Sequence, residues 1–461
     1  MHNFAGVVLA AGIGSRMKSK LPKVLHKIFD KTMLEYCARA LEKAGATHII
    51  IVTGHKEDLV KQEISKWKLC CDVSTAYQEN QRGTGHAVKM AMPLLKQGNV
   101  VVMCGDGPLI TEHTLIELVN DHVANGRQCT LVSTIVDNPF GYGRIIRKSN
   151  GELTKIVEER DSTKKEKLVK EVNPSLYCFN VTHLGQALEK ITNDNAAREY
   201  YITDTIEILL KNGGKVDAKL SFTPQEFLSV NTRIELAHVT KIMQQRITES
   251  HMLNGVTIVD TATTYIGSNV QIAQDTIIYP NTTIEGNSKI GSNCNIGPNS
   301  VVKNAEIGDC TNVINSTVTD SIIGENTDIG PYAHIRPEST VGDNARIGNF
   351  VEIKKSTIGN DTKAAHHSYV GDAIVGNNVN LSCGIITANY DGKNKHITTI
   401  EDGAFVGSNV NLVAPVTICK NAYVAAGTTV THKVPENALA IGRARQEIKE
   451  EWKTKNNLEK S

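Results

Sequence analysis

The chain carries two patterns of apolar residues, and they meet near residue 230. In the front part, short and almost wholly apolar runs alternate with stretches at helical spacing. Phe4–Leu9, His48–Val52, Val100–Cys104 and Cys129–Val136 read as strands, and Leu34–Ala44 and Leu115–Ala124 as helices. Strands without polar alternation are buried on both faces, which predicts an α/β domain: a mostly parallel, Rossmann-like sheet covered by helices. Ligands of such sheets bind beyond the carboxyl ends of the strands. The loop after Leu9 and the pair Gly105-Asp106 fall there.

Thr232 and Glu235 fit a capping box, and Leu236, Val239, Met243 and Ile247 follow helical spacing. A rigid linker helix is therefore expected over 231–250, between a domain at 1–230 and another at 251–461.

Beyond it the period becomes six. Ile266, Ile272, Ile278, Ile284, Ile290, Ile296 and Val302 recur without a slip. The register resumes at Ile323, Ile329, Ile335, Val341, Ile347 and Ile353, and again at Val406, Leu412, Ile418, Val424 and Val430. Three long runs at one spacing specify a left-handed parallel β-helix of hexapeptide repeats. A single coil buries too little to fold alone, so the stack has to be long and capped. Breaks in the register matter, because insertions in repeat proteins gather on a binding face. One break holds Ala365-His366-His367-Ser368-Tyr369, another Thr387-Ala388-Asn389-Tyr390-Asp391-Gly392. A histidine in a polar loop adds nothing to a solenoid, which makes His366 a general-base candidate beside the plain alternative of a surface histidine.

Composition narrows the field. With 461 residues, 50 Lys plus Arg and 49 Asp plus Glu, the formal charge is +1. That balance argues against a broad nucleic-acid face, which needs clustered excess cations. No apolar run reaches the length of a membrane span. The Phe4–Ala11 run lacks a basic leader and runs straight into a glycine loop, so a first strand is expected there and not a signal peptide. The ten cysteines contain no Cys-x-x-Cys pair, so reduced, buried thiols in a cytoplasmic protein are expected.

The chemistry of the front part starts at Leu9-Ala10-Ala11-Gly12-Ile13-Gly14-Ser15-Arg16-Met17, with Leu21-Pro22-Lys23 shortly after. Glycines let backbone N–H groups approach phosphate oxygens, while Arg16 and Lys23 supply charge for a polyphosphate. Arg16 and Met17 occupy the place where a dinucleotide fingerprint would want its last glycine. The segment instead resembles the signature of the sugar-nucleotide pyrophosphorylases. That resemblance implies a nucleotidyltransferase domain in which Leu9, Ala10, Ala11, Gly12, Arg16 and Lys23 hold the nucleotide. Gln78, Gly83 and Thr84, within Gln81-Arg82-Gly83-Thr84-Gly85-His86, would contact base and sugar, and Gly143, Glu158 and Asn173 the sugar. Asp106 and Asn231 would hold Mg²⁺, Asn231 also contacting the nucleotide. Without the family, Asp106 reads as a turn or cap and Asn231 as a helix-start residue.

The chain from the first strand to about Arg443 also resembles one family, the bacterial bifunctional enzymes that acetylate glucosamine 1-phosphate and uridylylate the product. The motifs that carry this are Arg336-Pro337, Gly348-Asn349-Phe350-Val351-Glu352, Lys354-Lys355, His366-x-x-Tyr369, Asn389-Tyr390-Asp391-Gly392 and Val413-Ala414-Pro415-Val416-Thr417. The resemblance implies acetyl transfer from acetyl-CoA with His366 as base, Arg336 and Lys354 on the sugar phosphate, and Tyr369 and Asn380 on the sugar. Cys383, Asn389, Tyr390, Ser408, Ala426 and Arg443 would line the coenzyme site. Uridylyl transfer from UTP to N-acetylglucosamine 1-phosphate would follow in the front domain, and the family assembles as homotrimers. Cys104 stands where some relatives have tyrosine, Gly107 where another small residue is common, and Cys383 where a smaller side chain is usual. The tail after Arg443 is charged and mixed in sign, and a solvated end is expected. Two other readings remain at this point: a pyrophosphorylase with a structural or regulatory β-helix, and a non-catalytic assembly subunit that keeps both folds.

Overall fold

The computed structural model describes residues 2–456. The chain divides into two compact units, Met1–Met243 and Gln244–Ser461.

The first unit is built on a ten-stranded sheet. Its parallel half runs Asp72–Tyr77, Ala46–Thr53, Phe4–Leu9, Asn99–Cys104. These strands alternate their aliphatics between two helix-covered cores. Val7, Ile50, Val52, Val100 and Val102 enter one, and Val8, Ile49, Ile51, Val101 and Met103 the other. The second half of the sheet is largely antiparallel. Tyr177–Asn180 pairs with Asn99–Cys104 and with Cys129–Ile135, Glu171–Asn173 with Cys129–Ile135 and Gly143–Arg147, and the latter with Leu153–Val157. Val216–Ser221 alone adds parallel, on Cys129–Ile135. Of these pairs, Gly143–Arg147 with Leu153–Val157 is joined by a short turn, which an antiparallel pair allows and a parallel one does not.

A helix covers Arg233–Leu253. Both bonds of its capping box form: the Thr232 N–H donates to Glu235 Oε2 at 2.8 Å and the Glu235 N–H to Thr232 Oγ1 at 3.2 Å. In the first unit Val239 and Met243 are buried. In the second, Gln244 Nε2 donates to the carbonyls of Thr261 and Thr264 at 2.8 and 2.7 Å, and Ile247 packs on the aliphatic core.

The second unit is a left-handed parallel β-helix whose three sheets hold eleven, ten and nine strands, all paired in parallel. Residues of the six-residue register line a single core, from Ile266 and Ile272 to Val424 and Val430. Most register breaks turn out to be shortened turns. Val302 is followed by an inward Ile307 and Ile353 by an inward Ile358, each one residue early. Each slip changes the phase of everything downstream. The segment around His366 is therefore not an interruption, contrary to the expectation from spacing: Ala364 and Val370 are both inward at the regular step, and Lys363–His366 is a strand. The true insertion lies between the inward Thr387 and Ile400. It carries Asn389–Ile397, closed by an antiparallel bridge between Tyr390 and Lys395.

The expectation of buried thiols needs correction. All ten cysteines are free, but Cys70, Cys310 and Cys383 are exposed, because they lie outside the inward positions of sheet and solenoid. Residues 444–456 of the tail are exposed throughout, with one short helix at Trp452–Lys455, and 457–461 lie outside the described residues.

Candidate functional sites

In the first unit, the carboxyl ends of Phe4–Leu9 and Asn99–Cys104 are tied by the Gly105 N–H, which donates to the Leu9 carbonyl at 2.9 Å. Above them opens a cavity of about 320 Å³, lined by Leu9, Ala10, Ala11, Gly12, Lys23, Gln78, Gly83, Thr84 and Asp106 together with Val24, Gln81, Ala87, Cys104 and Glu199. Glycine is required at two of its edges. Gly14 has φ +65°, and a Cβ there would stand 2.5 Å from Lys23 Cβ. Gly83 has φ +108°, and its Cβ would meet the Tyr200 carbonyl at 2.6 Å. Gln78 is buried, and its amide donates to the Gly83 carbonyl at 3.2 Å while contacting His86 Nδ1 at 2.9 Å.

Lys23 is the electrostatic centre of this site. Its ammonium pairs with Asp106 and donates to Asn231 Oδ1 at 2.9 Å, and Arg16 reaches the same oxygen at 3.0 Å. The Val230 N–H donates to the Asp106 carbonyl at 3.0 Å, which keeps the strand end and the helix entry together. A carboxylate and an amide oxygen thus converge on one cation. Such a hard, oxygen-only pair fits a divalent ion of the magnesium type, which takes one or two protein carboxylates and completes its shell with substrate phosphates and water. Among the described residues no cluster of three acidic, histidine or cysteine ligands exists.

Gly143, Glu158 and Asn173 are brought together by the antiparallel half of the sheet. Asn173 pairs with Gly143, and a Cβ at Gly143 would lie 3.5 Å from the Glu158 carboxylate. Asn173 Nδ2 donates to the Tyr177 hydroxyl at 2.6 Å and Glu158 accepts from Thr203 at 3.0 Å. Burial raises the Glu158 carboxyl above its usual range. Burial, with Asp106 nearby, pushes the Cys104 thiol up to about 12, so it is a neutral wall of the cavity.

The β-helix offers two groups of residues. The first is a column. Asn349, His366, Cys383, Ser408 and Ala426 each stand two positions after an inward residue: Ile347, Ala364, Leu381, Val406 and Val424. Those inward residues are register partners on consecutive coils, so the five side chains stack along one corner, about 4.8 Å apart. Arg443 closes the top, its guanidinium donating to the Ala426 carbonyl at 2.5 Å. The His366 ring meets Asn349 Oδ1 through Nδ1 at 3.2 Å.

The second group is cationic. Arg336 pairs with Glu352 at 2.6 Å. Lys354 stands beside Lys395, whose proximity holds the Lys354 ammonium below the usual lysine range. Asn389 donates to the Tyr369 hydroxyl at 3.3 Å and to Asp372. Three cationic side chains, of which only Arg336 has a carboxylate in direct contact, gather enough positive charge for an anion subsite. Sequence reading missed Lys395 and Asp372 and gave Asn349, quoted within a motif, no role of its own. Lys395 sits in the single long insertion, which was the available signal, and the other two are ordinary register positions. Asn380 and Tyr390 join neither group by a side-chain bond: Asn380 donates to Ser382 Oγ at 3.1 Å and the Tyr390 hydroxyl to the Gly392 carbonyl at 2.7 Å.

Comparison with known proteins gives these groups a context. A nucleotidyl transferase family model matches residues 5–251, a model of six bacterial transferase hexapeptide repeats matches 269–304, and the GMPPB C-terminal domain model matches 317–439. The chain is 50% identical over 457 residues to the bifunctional protein GlmU of Geobacillus sp. strain WCH70, covering 99% of this chain and 98% of that one. It is 49% identical over 456 residues to that of Clostridioides difficile strain 630 (99% and 98% covered), and 51% identical over 453 residues to that of Thermoanaerobacter pseudethanolicus (98% of this chain). The chain belongs to the GlmU family. It is accordingly a bifunctional transferase, with a nucleotidyltransferase unit and a hexapeptide acetyltransferase unit.

Proposed function

We infer that the enzyme makes UDP-N-acetylglucosamine in two steps, acetylating glucosamine 1-phosphate in the β-helix and uridylylating the product in the front unit. The observation that carries this reading is that one chain holds both a Lys23–Asp106–Asn231 cradle over a phosphate-binding loop and a histidine column beside a three-cation subsite. A structural or regulatory β-helix has no use for Arg336, Lys354 and Lys395 gathered on one face, and a non-catalytic subunit has none for Lys23 paired to Asp106.

In the acetyl step, Arg336, Lys354 and Lys395 take the sugar phosphate. His366 Nε2 accepts a proton from the sugar amine as the nitrogen attacks the thioester carbonyl of acetyl-CoA, and the coenzyme leaves as thiolate. Imidazole is the side-chain type most often used for such a proton transfer. Cys383, Ser408, Ala426 and Arg443 give the coenzyme a path up the column.

In the nucleotidyl step, a phosphate oxygen of the sugar phosphate attacks the α-phosphorus of UTP and pyrophosphate departs in line. Mg²⁺ held between Asp106 and Asn231 would neutralise phosphate charge. Lys23 and Arg16 orient the triphosphate, the Gly12 loop offers backbone N–H groups, and Gly143, Glu158 and Asn173 hold the acceptor sugar. A homotrimer is proposed from the family resemblance and from the exposed apolar side chains Ile322, Tyr332, Phe350 and Ile374 along the β-helix. Among the described residues no helix is long and apolar enough to cross a membrane, and ten free cysteines suit a reducing, cytoplasmic setting.

The test is an omission series. Purified protein with glucosamine 1-phosphate, acetyl-CoA, UTP and Mg²⁺ should give UDP-N-acetylglucosamine, coenzyme A and pyrophosphate. Leaving out UTP should stop formation of both UDP-N-acetylglucosamine and pyrophosphate while coenzyme A is still released. Release of pyrophosphate without any free coenzyme A would return the β-helix to a scaffold.

A further inference from the structure

We propose that Asn349 is the positioning residue of His366, fixing which ring nitrogen is free to act as base. The proposal rests on His366 being the base of acetyl transfer. Asn349 lies one coil below His366 and is its direct register partner in the parallel ladder. The backbone locks the pair, since the His367 N–H donates to the Asn349 carbonyl at 2.9 Å. The side chains then meet at Nδ1 and Oδ1, 3.2 Å apart.

An amide oxygen can only accept, so the proton of the neutral imidazole is held on Nδ1. Nε2 is left with its lone pair bare, and that nitrogen takes the amine proton. The amide is also neutral. It orients the ring without placing a negative charge beside it, as a carboxylate would. A histidine on a flexible polar loop would have neither constraint. Here the orientation follows from register, because the same coil offset that stacks Ile347 under Ala364 stacks Asn349 under His366.

Other charged or titratable groups on the coils around this corner are Arg346 below, Lys363 and His367 on the same coil, and Cys383 above, with Glu352 and Tyr369 on the adjoining sheet. All are retained in the variants that follow.

The experiment is the pH profile of acetyl-CoA-dependent acetylation of glucosamine 1-phosphate by the full-length wild type, Asn349→Ala and Asn349→Asp, with His366→Ala as reference. Asn349→Ala should lower kcat roughly three- to tenfold, the scale of one lost hydrogen bond, with KM for both substrates within about twofold. Asn349→Asp should keep the orienting bond and stabilise the imidazolium. The acid limb of kcat/KM should then move to higher pH by about one unit or more, because a base of raised pKa stays protonated further up the scale. Uridylyl transfer by the same preparations reports that the protein is intact. An acid limb in Asn349→Asp that coincides with wild type overturns the proposal, and so does an unchanged kcat in Asn349→Ala. If His366→Ala retains full acetylation, it is the assignment of the base that fails, a separate result from a silent Asn349.

Discussion

The two units solve the problem of placing reactive side chains in opposite ways. In the front unit, Lys23, Asp106 and Asn231 come from three remote stretches of chain. They meet because a parallel sheet delivers its carboxyl ends to one rim and a helix entry folds back onto it. Charge pairing does the final alignment. In the β-helix, Asn349, His366, Cys383, Ser408 and Ala426 meet because each occupies the same step of a repeating coil, and the alignment is done by the backbone ladder. The difference teaches where each site is fragile. The first depends on a few electrostatic partners, the second on the spacing of aliphatic residues that never touch substrate.

Variants should separate the two designs. The largest effect is expected from Asp106→Ala, which removes the carboxylate that pairs with Lys23. Uridylyl transfer, followed by pyrophosphate release, should fall by roughly 10³-fold or more, since a metal clamp on phosphate supplies several kcal/mol. Acetylation should persist, and its loss in a folded protein would show that Asp106 has another role. Next comes His366→Ala, with an expected drop of about 10²–10⁴-fold in acetyl transfer, the usual contribution of a positioned base, and uridylyl transfer retained.

Ile347→Ala probes the ladder itself. It truncates a fully buried residue directly beneath the inward partner of His366's own strand, and the loss should be about 2–5 kcal/mol. Contacts in a solenoid run only between neighbouring coils. The temperature at which acetyl transfer is lost should therefore fall by several degrees, while uridylyl transfer keeps its wild-type heat tolerance. Equal sensitivity of both activities would contradict the comparison.

The smallest effect concerns Asp204, at the start of the helix Asp204–Lys211. Burial, then repulsion from Glu158, Glu207 and Asp161, pushes its carboxyl up to about 6. A carboxyl raised in the folded state favours folding when protonated. Its ionisation therefore costs stability above pH 6, and the cost fades as the pH falls towards the unfolded value near 4. Partial exposure screens the repulsion, leaving about 1 kcal/mol at pH 7. Asp204→Asn should raise the melting temperature of the front unit by a few degrees at pH 7 and leave it unchanged near pH 4.

Much of this was legible from the chain because burial leaves a period behind. One inward aliphatic in every six residues could mean little else, and Thr232 with Glu235 announced the helix start that both capping bonds then make. The position of His366 on a strand was hidden for a related reason. A turn shortened by one residue and a loop lengthened by five shift the phase identically, so the one-residue slip after Ile353 looked like an interruption near His366. The antiparallel half of the sheet was hidden because strands such as Gly143–Arg147 and Glu171–Asn173 are short and carry charge. Lys395 reaches Lys354 only through the bend of the Asn389–Ile397 insertion, a geometry that spacing does not encode.

The regular column has an architectural consequence. Because every coil advances the corner by about 4.8 Å, the β-helix works as a ruler graduated in coils. From His366 to Ala426 the span is three graduations, about 14 Å, and Arg443 marks the far end. An acyl carrier of another length would be accommodated by adding or removing whole coils above His366. The reacting end would stay untouched while the anchoring end moved in equal increments.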